Sequence, residues 1–78
     1  RDWDVRALAE RNRKVFVLTG GDCRAEQICG ELAGLPVTVY VGENLGSGRE
    51  RILKGKPEEL AKESFASLAV MWIEKEEP

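Results

Sequence analysis

The chain has 78 residues, enough for one small domain that buries only about 60% of its unfolded surface. Hydrophobic residues make up 42% and charged residues 33%, the balance of a soluble globular protein and not of a disordered one. A net charge of −2 without a basic block argues against a nucleic-acid footprint, and no apolar run reaches the ~20 residues of a membrane span or forms a signal-peptide pattern.

In chain order, Asp2 is placed to cap a first helix. Val5, Leu8 and Ala9 would form its packed face, with Arg6, Glu10, Arg11 and Arg13 opposite. Trp3 reads as a packing anchor. Val15-Phe16-Val17-Leu18-Thr19 suits a strand buried on both faces. Gly20-Gly21-Asp22 ends it, and Asp22 is a candidate N-cap for a second helix. There Ala25, Ile28, Cys29 and Leu32 give an i, i+3, i+4, i+7 stripe, which Gly34 and Pro36 terminate.

Val37, Val39 and Val41 alternate with Thr38 and Tyr40 as a strand. The polar turn Glu43-Asn44-Leu45-Gly46-Ser47-Gly48 follows, with Ser47-Gly48 expected to supply its positive-φ positions. Glu50–Lys54 is the return strand of a hairpin. Pro57 fits the first position of a short helix to about Glu63, with Glu58 and Glu59 at its positive end. Leu68–Ile73 is a last apolar strand, and residues 74–78 read as a charged linker or tail. The order α-β-α-β-β-α-β predicts a small α/β/α-type domain over residues 1–78, with a mixed sheet of about four strands including one hairpin. A ferredoxin-like α+β sandwich is the alternative, with a small-ligand-binding regulatory module as the matching function.

Chemistry-bearing patterns are few. Cys23 and Cys29 are six residues apart, which suits neither a disulfide nor a zinc site, and they read as small apolar thiols of a cytoplasmic protein. There is no histidine, so the commonest general base and metal ligand are missing. The glycines at 42, 46 and 48 meet neither phosphate-loop pattern, because Arg49-Glu50 follows Gly48 and no helix opens there. Glu43 and Glu50 read as solvated or paired with Arg49 or Arg51, and Ser47 has no base to activate it. Phe16 and Tyr40 read as isolated aromatics and not as a stacking platform. No catalytic and no metal-ligating residues are assigned.

Val41-Gly42-Glu43-Asn44-Leu45-Gly46, then Glu50-Arg51-Ile52 and Gly55-Lys56-Pro57-Glu58-Glu59-Leu60, resembles the C-terminal half of tetrapyrrole methylases. The branch it is most similar to contains precorrin-6Y C5,15-methyltransferase and cobalt-precorrin C5-methyltransferase. There the segment follows a strand ending in Leu-Thr, here Leu18-Thr19, and a helix. The resemblance runs from Arg1 to Trp72-Ile73. It departs at Gly20, where the family usually has Asp, near Arg24, where it often has Pro, and at Lys56, where a Ser or Thr cap is usual.

The resemblance implies a fragment of a longer enzyme that methylates a precorrin in cobalamin biosynthesis using S-adenosylmethionine. The family's downstream half holds the adenosine end of the cofactor, largely through backbone and apolar contacts. By matching positions, Leu18, Thr19 and Gly20, then Tyr40, Val41 and Gly42, then Ser67 and Leu68 are the expected cofactor-binding residues. The resemblance also implies that this chain is inactive alone. Without the partner half, an apolar face would be left to self-associate, so a homo-oligomer is expected, with no nucleic-acid or membrane partner.

Overall fold

The structure is a computed structural model that describes residues 3–77. Its elements are α1 (Val5–Arg11), β1 (Lys14–Leu18), α2 (Ala25–Leu32), β2 (Val37–Glu43), β3 (Arg51–Gly55), α3 (Pro57–Leu60) and β4 (Val70–Lys75). The expected order is thus borne out: a small α/β domain with three helices and a four-stranded sheet.

Local chemistry explains the helix ends. The Asp4 carboxylate accepts the Ala7 N–H at 3.2 Å and so caps α1, the role expected of Asp2, which lies outside the described residues. Arg24, not Asp22, is the N-cap of α2, and Gln27 Oε1 accepts its backbone N–H at 3.0 Å. At the other end of α2, Arg6 Nη1 donates to the carbonyls of Glu31 (2.9 Å) and Ala33 (3.1 Å), which no later turn of helix satisfies. Gly34 then takes φ +87°, where a side chain would be strained. Pro57 opens α3, and Glu59 Oε1 accepts the Lys56 N–H at 3.1 Å, so the glutamate serves a cap position that lacks Ser or Thr.

The sheet order is β1-β4-β2-β3, and every pairing is antiparallel. The expected mixed sheet is corrected by this arrangement. β1 and β2 do run parallel, but β4 lies between them, so no two neighbours share a direction. The ferredoxin-like alternative also fails, on order: it puts the first and third strands at the centre, whereas β4 and β2 hold the centre here.

All three helices pack on one face of the sheet. Val17, Val37, Val39, Val41, Met71 and Ile73 point to that side and meet Val5, Ala9, Ala25, Ile28, Cys29, Leu32 and Leu60 in a single core. The domain therefore has two layers, not the three of an α/β/α arrangement. β1 is correspondingly buried on one face only: Phe16 and Leu18 are 68% and 78% exposed. Four successive apolar residues do not distinguish a covered strand from one whose second face is open.

Cross-strand register arranges the open face in rows. One is Leu18–Val70–Gly42–Ile52, and the next is Phe16–Trp72–Tyr40–Lys54. Tyr40 and Trp72 stack at 4.8 Å between centroids, Phe16 lies 6.5 Å from Trp72, and Lys54 Nζ sits 5.6 Å from the Tyr40 ring centre. Phe16 and Tyr40 are therefore not isolated: Trp72 joins them. Tyr40 and Trp72 turn their faces to each other, whereas Phe16 is tilted against Trp72 and remains exposed.

Element ends differ from expectation in three further places. The turn between β2 and β3 places its positive φ at Asn44 (54°) and Gly46 (81°), not at Ser47-Gly48, because the Ser47 hydroxyl is bonded to the Asn44 carbonyl. α3 stops at Leu60, short of Glu63. β4 starts at Val70 and takes in Glu74 and Lys75, which were read as linker. Lys14 Nζ pairs with Glu74 at 3.3 Å, and the Glu76 N–H donates to the Pro36 carbonyl at 2.9 Å, so this charged stretch is fastened to the domain. Pro78 lies outside the described residues. No helix among the described residues is long and apolar enough to cross a membrane.

Candidate functional site

The ends of β1 and β2 and the approach to β4 meet at one corner of the open face. They enclose an apolar cleft of about 460 Å³ lined by Leu18, Gly42, Asn44, Leu45, Ala66, Leu68, Ala69 and Val70. Leu18, Val70 and Gly42 form its floor as one cross-strand row. The floor is notched at Gly42, where a Cβ would come within 3.0 Å of Leu45 Cδ2. A glycine inside a strand commonly marks such a close approach.

Two polar anchors hold the cleft's far wall, residues 66–69. The first is Thr19, which is buried. Its hydroxyl accepts the Ala69 N–H at 2.8 Å and donates to the Ser67 carbonyl at 2.9 Å. The second is Glu43 at the end of β2. One carboxylate oxygen accepts the Ala66 N–H at 2.6 Å, and the other accepts Arg51 Nε at 2.6 Å. Arg51 also donates from Nη2 to the Ser64 carbonyl at 2.7 Å and lies over the Phe65 ring at 4.9 Å. A charge taken out of water needs such pairing on both oxygens. Arg24 Nη1 adds a bond to the Phe65 carbonyl at 2.8 Å.

Of the expected cofactor-binding residues, the structure brings Leu18, Gly42 and Leu68 into the cleft wall. Thr19 lies beneath it, with its hydroxyl committed to the backbone. Gly20 sits at its margin, paired with Cys23, and the Ser67 hydroxyl faces the Gly21 carbonyl at 3.4 Å. Tyr40 is one row away in the aromatic stack, and Val41 points into the helix-side core. Sequence reasoning missed Asn44, Leu45, Ala66, Ala69 and Val70. Leu45 was within reach of the sequence, since a glycine on an otherwise filled strand face leaves room for a nearby apolar side chain.

The other titratable groups form no second centre. Neither cysteine is in a disulfide, and burial beside Glu26 pushes the Cys29 thiol up to about 12, which makes it inert. Among the described residues no cluster of His, Cys, Asp or Glu could hold a metal ion. The cleft can therefore bind and orient a largely apolar ligand, but it carries no nucleophile or general base. Compared with family models, curated proteins and solved structures, the chain finds no significant match.

Proposed function

We propose that this chain forms the cofactor-side wall of an S-adenosylmethionine-dependent methyltransferase of the tetrapyrrole methylase kind. The complete enzyme would act on a precorrin as a C5,15-methyltransferase of cobalamin biosynthesis, in the cytoplasm, with an upstream half supplying the opposite wall. One observation carries this reading. Three segments distant in sequence, each matched through the resemblance to an adenosine-holding strand end, converge on one cleft, with Leu18, Gly42 and Leu68 in its lining.

The residues suit an adenosine. The cleft volume is in the range of small-molecule sites, and its walls are apolar with few polar groups, as a purine face requires. The missing Cβ at Gly42 lets the Leu45 side chain pack down on the strand, where it offers an apolar surface to a flat ring. Among the described residues the Leu68 N–H and carbonyl have no hydrogen-bond partner, whereas those of neighbouring Ala69 are taken by Thr19. Leu68 thus offers a donor and an acceptor to an adenine edge.

The bound cofactor supplies a methyl group already activated by its sulfonium. The protein's task is to hold the adenosine end, fix its orientation and exclude water. In this reading Leu18, Leu45 and Val70 make the apolar contacts, and the Leu68 backbone orients the ring. Glu43 and Thr19 act as positioning residues by fixing the 66–69 segment. The chain alone binds weakly and transfers no methyl group.

Titration of the ¹⁵N-labelled chain with S-adenosylhomocysteine tests this. Amide shifts are expected at Leu18, Gly42, Leu45 and Leu68, and they should vanish in Gly42→Val. Shifts confined to other surfaces, or no shifts at millimolar ligand, would refute it.

A further inference from the structure

We propose that the open edge of β1 pairs with β1 of a second copy of this chain, antiparallel about a two-fold axis at Phe16, so that two four-stranded sheets become one. This is independent of the cofactor reading.

The ladder to β4 fixes which groups are free. The Thr19 N–H donates to the Ala69 carbonyl and the Lys75 N–H to the Arg13 carbonyl, so in β1 the odd-numbered residues bond to β4. By alternation, the backbone N–H and C=O groups of Lys14, Phe16 and Leu18 point away from the sheet. Among the described residues no strand pairs with them.

β1 also lacks the usual protections of an edge. It has no proline and no bulge, and its only charge is Lys14, at one end. Apolar groups flank the edge on both sides. Phe16 and Leu18 stand on the open face, and a groove of about 230 Å³ runs alongside, lined by Trp3, Leu8 and residues 15–18. The opposite edge, β3, bears Arg51 and Lys54, and self-pairing there would bring like charges together.

The sequence of β1 matches itself in one register. Centred on Phe16, Phe16 faces its own copy and Lys14 faces Leu18. These are the residues whose backbone groups are free, so each pair exchanges two hydrogen bonds. Val15 then faces Val17 on the helix side, and Phe16 extends each Tyr40–Trp72–Phe16 stack into its counterpart. Centring on Lys14 would oppose two ammonium groups. Centring on Leu18 would draw in Gly20-Gly21, where the strand has ended.

Sedimentation equilibrium of the full chain, with isotope-filtered NOE spectra of a mixed labelled and unlabelled sample, tests the proposal. The expected result is a dimer with an intermolecular contact between the Val15 Hα and the Val17 Hα. Within one strand these residues are about 6.6 Å apart, so the contact is diagnostic. Phe16→Lys should weaken association roughly tenfold or more while leaving the circular dichroism spectrum unchanged. Ile52→Lys, on the same open face at the far edge, should leave the dimer intact. A monomer at millimolar concentration, or equal weakening by both variants, overturns the proposal.

Discussion

Glu43 is the most informative residue to alter. Its side chain is 11% exposed, while that of its partner Arg51 is 38% exposed. Glu43→Ala removes the acceptor of the Ala66 N–H and leaves Arg51 able to reach water. Hydrogen bonds to charged groups contribute about 1.5–3 kcal/mol, and the orphaned, part-buried Ala66 N–H adds to the loss. The Arg51 contribution must be discounted for its exposure, because half-solvated pairs contribute little. The expected destabilisation is therefore about 2–3 kcal/mol. Arg51→Ala should cost at least as much, because it strands a buried carboxylate and also removes the Ser64 and Phe65 contacts. Urea unfolding followed by circular dichroism measures both. With a slope of about 1 kcal/mol/M for a domain of this size, the midpoint should fall by roughly 2–3 M at unchanged slope. A Glu43→Ala midpoint within about 0.5 M of the unaltered chain would mean that the knot does not hold residues 64–66, and the argument for a preformed cleft wall would fall with it.

Thr19→Val keeps the shape of the side chain but breaks its bonds to residues 67 and 69. It should cost about 1–2 kcal/mol and speed hydrogen exchange at the Ala69 amide, and unchanged exchange would count against the anchor. Gly42→Ala should change stability by less than about 1 kcal/mol, since the colliding atom ends a flexible Leu45 side chain, yet it should weaken S-adenosylhomocysteine binding. Tight binding in that variant would separate the notch from the ligand. The Cys29 thiol ionises at about 12 when folded and near 9 when unfolded, so the folded chain keeps its proton longer. The stability this gives is fully present below pH 9 and is lost as pH rises toward 12, by roughly 1.4 kcal/mol per unit. Urea titrations above pH 9 should find a shallower decline in Cys29→Ala, and parallel declines would refute the assignment.

The sequence exposed the element order well because its strands and helices differ sharply in period. Val37, Val39 and Val41 alternate, whereas Ala25, Ile28, Cys29 and Leu32 repeat at helical spacing, and each set is buried as its period demands. Strand neighbours were not legible. Nothing local to Val15–Leu18 says that it pairs with residues 70–73, since both segments are short apolar runs that fit several positions in a sheet. The same gap hid the open face, because Phe16 and Leu18 look like core residues until the layer count is known. Within the candidate site, Gly42 lies inside the hairpin motif, whereas Leu18 and Leu68 were reachable only by matching positions through the resemblance. The pairing of Glu43 with Arg51 was among the alternatives the sequence offered, but its bond to the Ala66 amide was not legible, because that amide reaches it only when the hairpin and the 61–69 loop are both in place.

The pairing of β1 with β4 also bears on how the chain folds. The second helix, the hairpin and the third helix can be assembled from neighbouring stretches, but β1 has no strand to join until residues 70–75 have been made. Its partner is the last strand in the sequence, and closing so long a loop is entropically slow. On the ribosome the first helix and strand must therefore wait, with Val15 and Val17 uncovered, while everything between them and β4 is synthesised. This segment is where a holdase chaperone would find a binding site, and its exposure ends only once β4 has been made.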